Sequence, residues 1–235
     1  MKNILVSLSL FGLIWACSPP TQQPKEVQQA VSEMLPAHKQ RPVILFFGNS
    51  ITAGYQLDMD DAFPAIIQDW LDSLGYNYQV VNAGLSGETS ASGLARIEWV
   101  LQTVPDIFVL ELGANDGLRG LPLDQTLVNL KGILQKVTAA NPNVKVIVAG
   151  MEVPPNLGAD YTAQFRGLYA ALAQESQSSL IPFLLDGVAG NPSLNLSDGI
   201  HPTPEGHEIL AQTVWQYLYP FLALPSVETT NEKSE

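Results

Sequence analysis

The sequence predicts an α/β fold, a five-stranded parallel sheet covered on both faces by helices, and three observations carry that expectation. Five short runs rich in apolar, β-branched and aromatic residues recur along the chain, the first of them, VILFF, apolar throughout. Such runs suit strands buried on both faces. Longer segments lie between them, with apolar residues three and four apart, the mark of helices with one buried face. Glycine or proline closes most of the junctions, where the chain has to turn. Strands that alternate with helices return parallel to one another, and the crossovers place helices on both sides of the sheet.

The elements follow in order. VILFF (43–47), bounded by Pro42 and Gly48, is the first strand. A helix is expected over 62–75, where Phe63, Ile66, Ile67, Trp70, Leu71 and Leu74 form a stripe and Gly75 supplies the stop. YQVVNAG (78–84) is the second strand, and 91–102 carries Leu94, Ile97, Val100 and Leu101 at helical spacing. DIFVLELG (106–113) is the third strand, entered after Pro105. Leu127, Leu130, Ile133, Leu134 and Val137 mark a helix over 124–140, and VKVIVAG (144–150) the fourth strand. A helix over 161–177 precedes the fifth strand, IPFLLDG (181–187), whose proline is tolerable near a start or an edge. Thr203 followed by Pro204 caps a last helix that runs to about Leu218.

The ends read differently. Lys2 precedes ILVSLSLFGLIWA, an apolar run too short for a membrane span and suited to a signal-peptide core, so residues 1–16 are assigned to a signal peptide. Cys17 follows Ile14-Trp15-Ala16, which resembles a bacterial lipobox whose cysteine is lipidated and becomes the mature N-terminus; Trp15 stands where such boxes have a small or aliphatic residue. Residues 17–41 are rich in glutamine and proline and read as a tether, with a short helix at 25–35. A flexible coil of about 25 residues averages roughly 25–30 Å end to end, enough to hold a domain just off a membrane. The globular domain spans 42–222, and 223–235 read as a disordered tail.

Composition narrows the function. A chain of 235 residues, 46% hydrophobic, suits one domain with a substantial core. A net charge of −12 argues against a nucleic-acid partner. One cysteine rules out an intramolecular disulfide, and His38, His201 and His207 are too scattered for a metal site. A monomer in the bacterial cell envelope is expected, lipid-anchored or periplasmic.

In an open parallel sheet, ligands bind outside the C-terminal ends of the strands. The segments that arrive there are GNSITAG, AGLSGETS, LGANDG and DGIHPTPEGH. Ser50 stands just past the first strand, either as part of a turn or as a nucleophile. A nucleophilic serine needs a base, an acid that orients the base, and donors for an oxyanion. His201 is the candidate base, with Asp198 three residues before it; the same pair also reads as a turn into the last helix, Asp198 capping it. Gly87, lacking a Cβ, lets its N–H approach a substrate closely, and Asn115 offers a side-chain amide. Each is common in βα loops by itself, and their weight is joint. The G-x-S-x-G elbow is absent, as are the GxxxxGK[ST] and GxGxxG phosphate loops.

At these four segments the chain resembles the SGNH hydrolases, also called the GDSL lipase/esterase family, and within it the bacterial thioesterase/lysophospholipase and arylesterase members. GNSITAGY, NAGLSGETSASGLARI, ELGANDGLRG and DGIHPTPEGH look like its ordered blocks, spread over 42–221. The resemblance implies Ser50 as nucleophile and Asp198 and His201 as its partners. It implies an oxyanion hole of the Ser50 and Gly87 N–H groups with the Asn115 side chain. It also implies a flavodoxin-like three-layer α/β/α sandwich and no cofactor. The family's first block ordinarily reads Gly-Asp-Ser, and Asn49 stands here in place of the aspartate.

The activity so implied is hydrolysis of short- to medium-chain acyl esters, thioesters or lysophospholipids through an acyl-serine intermediate, the partner being a small acyl-ester or lipid substrate. Leu118, Leu121 and Leu123 in DGLRGLPL are expected to cover the acyl chain, on a segment left mobile by Gly117 and Gly120. Two other readings are a carbohydrate O-acetylesterase and a non-catalytic lipid- or glycan-binding protein on an esterase fold. Few aromatics interrupt the active-edge loops to serve as sugar platforms.

Overall fold

The computed structural model describes residues 41–224. The expected signal peptide, Cys17, almost all of the tether with its short helix, and the tail from residue 225 lie outside the described residues. The strands are β1 (Val43–Gly48), β2 (Gln79–Gly84), β3 (Ile107–Glu111), β4 (Lys145–Ala149) and β5 (Ser179–Ile181). They form one sheet in the order β2-β1-β3-β4-β5, every neighbouring pair parallel. The helices are α1 (Ser50–Ala53), α2 (Phe63–Ser73), α3 (Ser90–Val100), α4 (Ala114–Leu118), α5 (Leu123–Ala140), α6 (Ala159–Ser176) and α7 (Pro204–Leu218).

The α/β class expected from the sequence is the one observed. Successive strand residues point to opposite faces, and two phenylalanines of β1 show what each face meets. Phe46 packs edge-to-face on Phe63 of α2, ring centroids 5.4 Å apart. Phe47 turns the other way, stacks on Phe108 of β3 at 5.9 Å and carries the Arg96 guanidinium of α3 over its ring. Helix α2 packs on α7, while α5 packs on both α3 and α6. Gly93 lets α3 settle onto the sheet: a Cβ there would stand 2.5 Å from Leu112 Cδ2. Ile44, Leu45, Phe46 and Phe47 are all at most 1% exposed, as a strand buried on both faces requires.

The chain moves outward from β1 to β2 and returns on the other side as β3, so the strand order reverses between β1 and β3. A crevice opens at the C-terminal ends of such a pair. Gly48 and Glu111 are register partners at that end.

Three expectations need correction. The fifth strand is Ser179–Ile181, not 181–187. Pro182 has no N–H to extend the ladder, and the chain turns there, with Leu184, Leu185 and Val188 buried as turn residues. Helices α1 and α4 arise where loops were expected; four or five residues are too few to show a period.

Candidate active site

The turn that carries Ser50 begins where β1 ends. Asn49 caps α1, its side-chain oxygen accepting from the Ile51 N–H at 3.0 Å. Ser50 is the first residue of that helical turn and is 8% exposed. Glu111, at the end of β3, holds the turn from below. Its carboxylate accepts from the Asn49 N–H (3.1 Å), Asn49 Nδ2 (2.6 Å), the Thr52 N–H (3.2 Å) and Thr52 Oγ1 (2.8 Å). Burial pushes the Glu111 carboxyl up to about 7, against the downward pull of those donors.

His201 reaches Ser50 from the loop before α7. Its Nε2 lies 2.9 Å from Ser50 Oγ and its Nδ1 lies 2.7 Å from Asp198 Oδ2. The other Asp198 oxygen accepts from the Ile200 and His201 N–H groups at 2.9 and 3.0 Å. These bonds, the His201 N–H foremost, hold the Asp198 carboxyl down to about 2, so it is ionised across the neutral range. The loop is pinched by the Leu196 N–H donating to the His201 carbonyl at 2.7 Å and by a bridge between Asn195 and Pro202. An Nδ1 opposite an ionised acid is best matched as N–H, which leaves Nε2 as the acceptor facing the serine.

The donors converge from two further loops. Gly87 has φ +79°, a left-handed conformation that favours glycine although a Cβ would meet nothing within 4 Å. Its carbonyl is held by Arg119 Nη2 at 3.2 Å. Asn115 Nδ2 donates to the Glu88 carbonyl at 3.0 Å, which fixes the amide and leaves its second hydrogen for a ligand. Among the described residues, the Ser50 and Gly87 N–H groups donate to no protein acceptor.

Several residues that sequence reasoning passed over fix this geometry. Glu88 is 3% exposed and pairs with Arg96 through Nε (2.7 Å) and Nη2 (2.5 Å), which anchors the Gly87–Glu88 corner. Asp116, 2% exposed, accepts from the Ser90 N–H at 2.8 Å and Ser90 Oγ at 2.5 Å, tying α4 to the start of α3. A carboxylate inside an apolar run such as FVLELG is a legible signal, since burial of that charge demands donors from elsewhere.

The three leucines are placed differently from one another. Leu118 and Leu121 are 42% and 37% exposed, whereas Leu123 opens α5 and is partly buried against the core. The mobility expected at Gly117 is not found: it sits in α4, and a Cβ there would stand 2.5 Å from the Phe165 ring. Leu121 is tied at both ends of its peptide unit, its N–H to Asp116 and its carbonyl to the Tyr161 hydroxyl. His207 belongs to the core; its Nδ1 accepts from the Phe63 N–H at 3.1 Å, and burial lowers its pKa to about 4. Among the described residues no three acidic, histidine or cysteine side chains are grouped to hold a metal ion.

Known proteins share this arrangement of chain. The model of the GDSL-like Lipase/Acylhydrolase family matches residues 46–209. Esterase TesA of Pseudomonas aeruginosa is 41% identical over 180 residues, covering 76% of this chain and 89% of that protein. Thioesterase 1/protease 1/lysophospholipase L1 of Escherichia coli is 37% identical over 180 residues, covering 76% of this chain and 84% of that protein. A crystal structure of TesA superposes with a TM-score of 0.73 at 41% identity, covering 77% of this chain and 99% of that one.

Proposed function

The chain belongs to the GDSL-like lipase/acylhydrolase family, and from that premise we propose that it is a carboxylic ester hydrolase working through Ser50, His201 and Asp198. The observation that carries this reading is the continuous relay from Asp198 Oδ2 through the imidazole to Ser50 Oγ, at 2.7 and 2.9 Å. His201 Nε2 takes the Ser50 proton as Oγ attacks the acyl carbonyl, and Asp198 holds the resulting imidazolium. The carbonyl oxygen becomes an oxyanion and accepts from the Ser50 and Gly87 N–H groups and the free hydrogen of Asn115 Nδ2. His201 then returns the proton to the departing alkoxide or thiolate, leaving an acyl-serine. A water, deprotonated by the same nitrogen, attacks that ester and releases the carboxylic acid and the free serine.

The substrates proposed are short- to medium-chain acyl esters, thioesters and lysophospholipids. Esterase and thioesterase/lysophospholipase relatives support this class. The exposed Leu118 and Leu121, on and just beyond the helix that carries Asn115, supply an apolar surface for an acyl chain. A place in the cell envelope, with a lipid on Cys17, is supported by the apolar run before that cysteine. Among the described residues no helix is long and apolar enough to cross a membrane.

A fluorophosphonate probe tests the chemistry. It should label the wild type and fail to label Ser50→Ala, and a panel of p-nitrophenyl esters with acyl-CoAs should show turnover lost by on the order of 10⁶ in that variant. Labelling or turnover that survives the substitution removes Ser50 from the mechanism. An unlabelled, inactive wild type would favour a lipid- or glycan-binding role.

A further inference from the structure

The imidazole of His201 is held in its plane by little of its own loop. Asp198 Oδ2 takes Nδ1, yet the Asp198 side chain is 37% exposed and the intervening Gly199 and Ile200 stand on the surface. Nucleophile and base lie 151 residues apart and arrive on different elements. Something has to hold the ring face so that Nε2 stays on Ser50 while the proton moves.

Tyr55 meets that face. Its ring centroid is 4.4 Å from that of His201, with the planes inclined by 37°. Core burial does not explain its position, because Tyr55 is 37% exposed. The backbone is bent to put it there. Gly54 has φ +69°, and Gln56, which has a Cβ, has φ +62°. Left-handed conformations are costly for residues other than glycine and persist where surrounding structure imposes them. A Cβ on Gly54 would meet Ala62 Cβ at 2.7 Å. The Tyr55 N–H donates to the Ser50 carbonyl at 3.0 Å. One residue is therefore bonded through its backbone to the nucleophile and packed through its ring on the base.

We propose that Tyr55 is a positioning residue, a bracket that fixes the His201 imidazole toward Ser50 and offers its π face to the imidazolium formed during acyl transfer. This rests on the reading of Ser50, His201 and Asp198 as the triad. An aromatic face attracts a cation more than a neutral ring, so the contact favours the protonated base that exists only after the serine gives up its proton. Asp198 on its own loop and Ser50 on α1 bond the imidazole and His207 on α7 acts on it electrostatically, and the Tyr55 substitutions leave all three in place.

The test compares Tyr55→Leu and Tyr55→Phe with the wild type, on p-nitrophenyl butyrate across pH 5–9. Tyr55→Leu keeps an apolar side chain against the imidazole and loses the π face. It should lower kcat roughly 5- to 30-fold with KM little changed, and shift the acidic limb of the kcat/KM profile to lower pH by roughly half a unit. Tyr55→Phe should restore most of the lost rate and the position of the limb. Thermal midpoints within a few degrees of wild type verify that the variants are folded. The bracket is overturned if Tyr55→Leu matches wild type in rate and profile. It is also overturned if Phe and Leu are equally slow with the limb unmoved, which describes a structural residue. Ser50→Ala in the same assay separates the two readings, since activity surviving there overturns the triad and the bracket with it.

Discussion

The side-chain amide of Asn49 donates to Glu111 Oε1 at 2.6 Å, directly beneath Ser50. Four donors surround that one carboxylate, and the turn that presents Ser50 supplies them all. An asparagine at this position meets the carboxylate with a proton. An aspartate would meet it with a second carboxylate, and two such groups at this distance cannot both ionise.

Asn49→Asp should therefore make the Ser50 turn sensitive to pH. Below neutrality the pair shares a proton and the turn persists. As pH rises the shared proton is lost, and the variant should fall behind wild type by about 2 kcal/mol, or roughly 4–8 °C in thermal midpoint. Midpoints of both proteins at pH 5.5 and 8.5 check this. A gap of the same size at both values would mean that the carboxylates do not interact.

Asn115→Ala removes the amide held by the Glu88 carbonyl. It should lower kcat by roughly 10²–10³ with KM little changed, the cost of one oxyanion donor. A raised KM with kcat preserved would assign Asn115 to ground-state binding.

Strands β1, β3 and β4 are legible because each is dominated by an apolar run, β2 because Val80 and Val81 stand in a short segment closed by Gly84, and α7 because Thr203 and Pro204 mark its start. β5 is shorter than its sequence suggests because LIPFLL is apolar throughout, and only the missing N–H of Pro182 decides where pairing stops. The loops that carry Ser50, Gly87, Asn115, Asp198 and His201 could be named, because each follows a strand or stands within a few residues of another candidate. Glu111, Arg96 and Tyr55 were not named. Glu111 acts on Asn49 across 62 residues and Tyr55 packs on His201 across the sheet's edge, relationships that no local spacing encodes.

Leu121→Ser tests the acyl surface. Each buried methylene contributes about 0.8 kcal/mol, so kcat/KM of the wild type should climb from C2 into the C4–C10 range and then level. The variant should lose more on the C8 ester than on acetate, since only the longer chain reaches Leu121. Equal loss on both would place the acyl chain elsewhere, and a wild type that strongly prefers C2 would favour an O-acetylesterase.

Two buried groups give stability opposite dependences on pH. Glu111 has its carboxyl raised from 4.5 to about 7, so the folded protein keeps a proton that the unfolded chain releases, and stability falls as pH rises through that window. His207 has its pKa lowered from 6.5 to about 4, so the unfolded chain takes up a proton that the folded protein refuses, and stability falls as pH drops through that window. Each contributes a slope of up to about 1.4 kcal/mol per pH unit. The slopes oppose one another where the windows overlap, from pH 4.5 to 6.5, and the wild type should be nearly flat there. Glu111→Gln removes one slope and should leave a protein that loses stability on acidification, apart from any constant loss of the Asn49 bond. His207→Asn, whose side-chain oxygen still accepts from the Phe63 N–H, should show the reverse and weaken as pH rises. Urea denaturation at pH 4.5, 5.5 and 6.5 reads both slopes. If the two variants run parallel to wild type, these two groups do not change protonation on folding in this range.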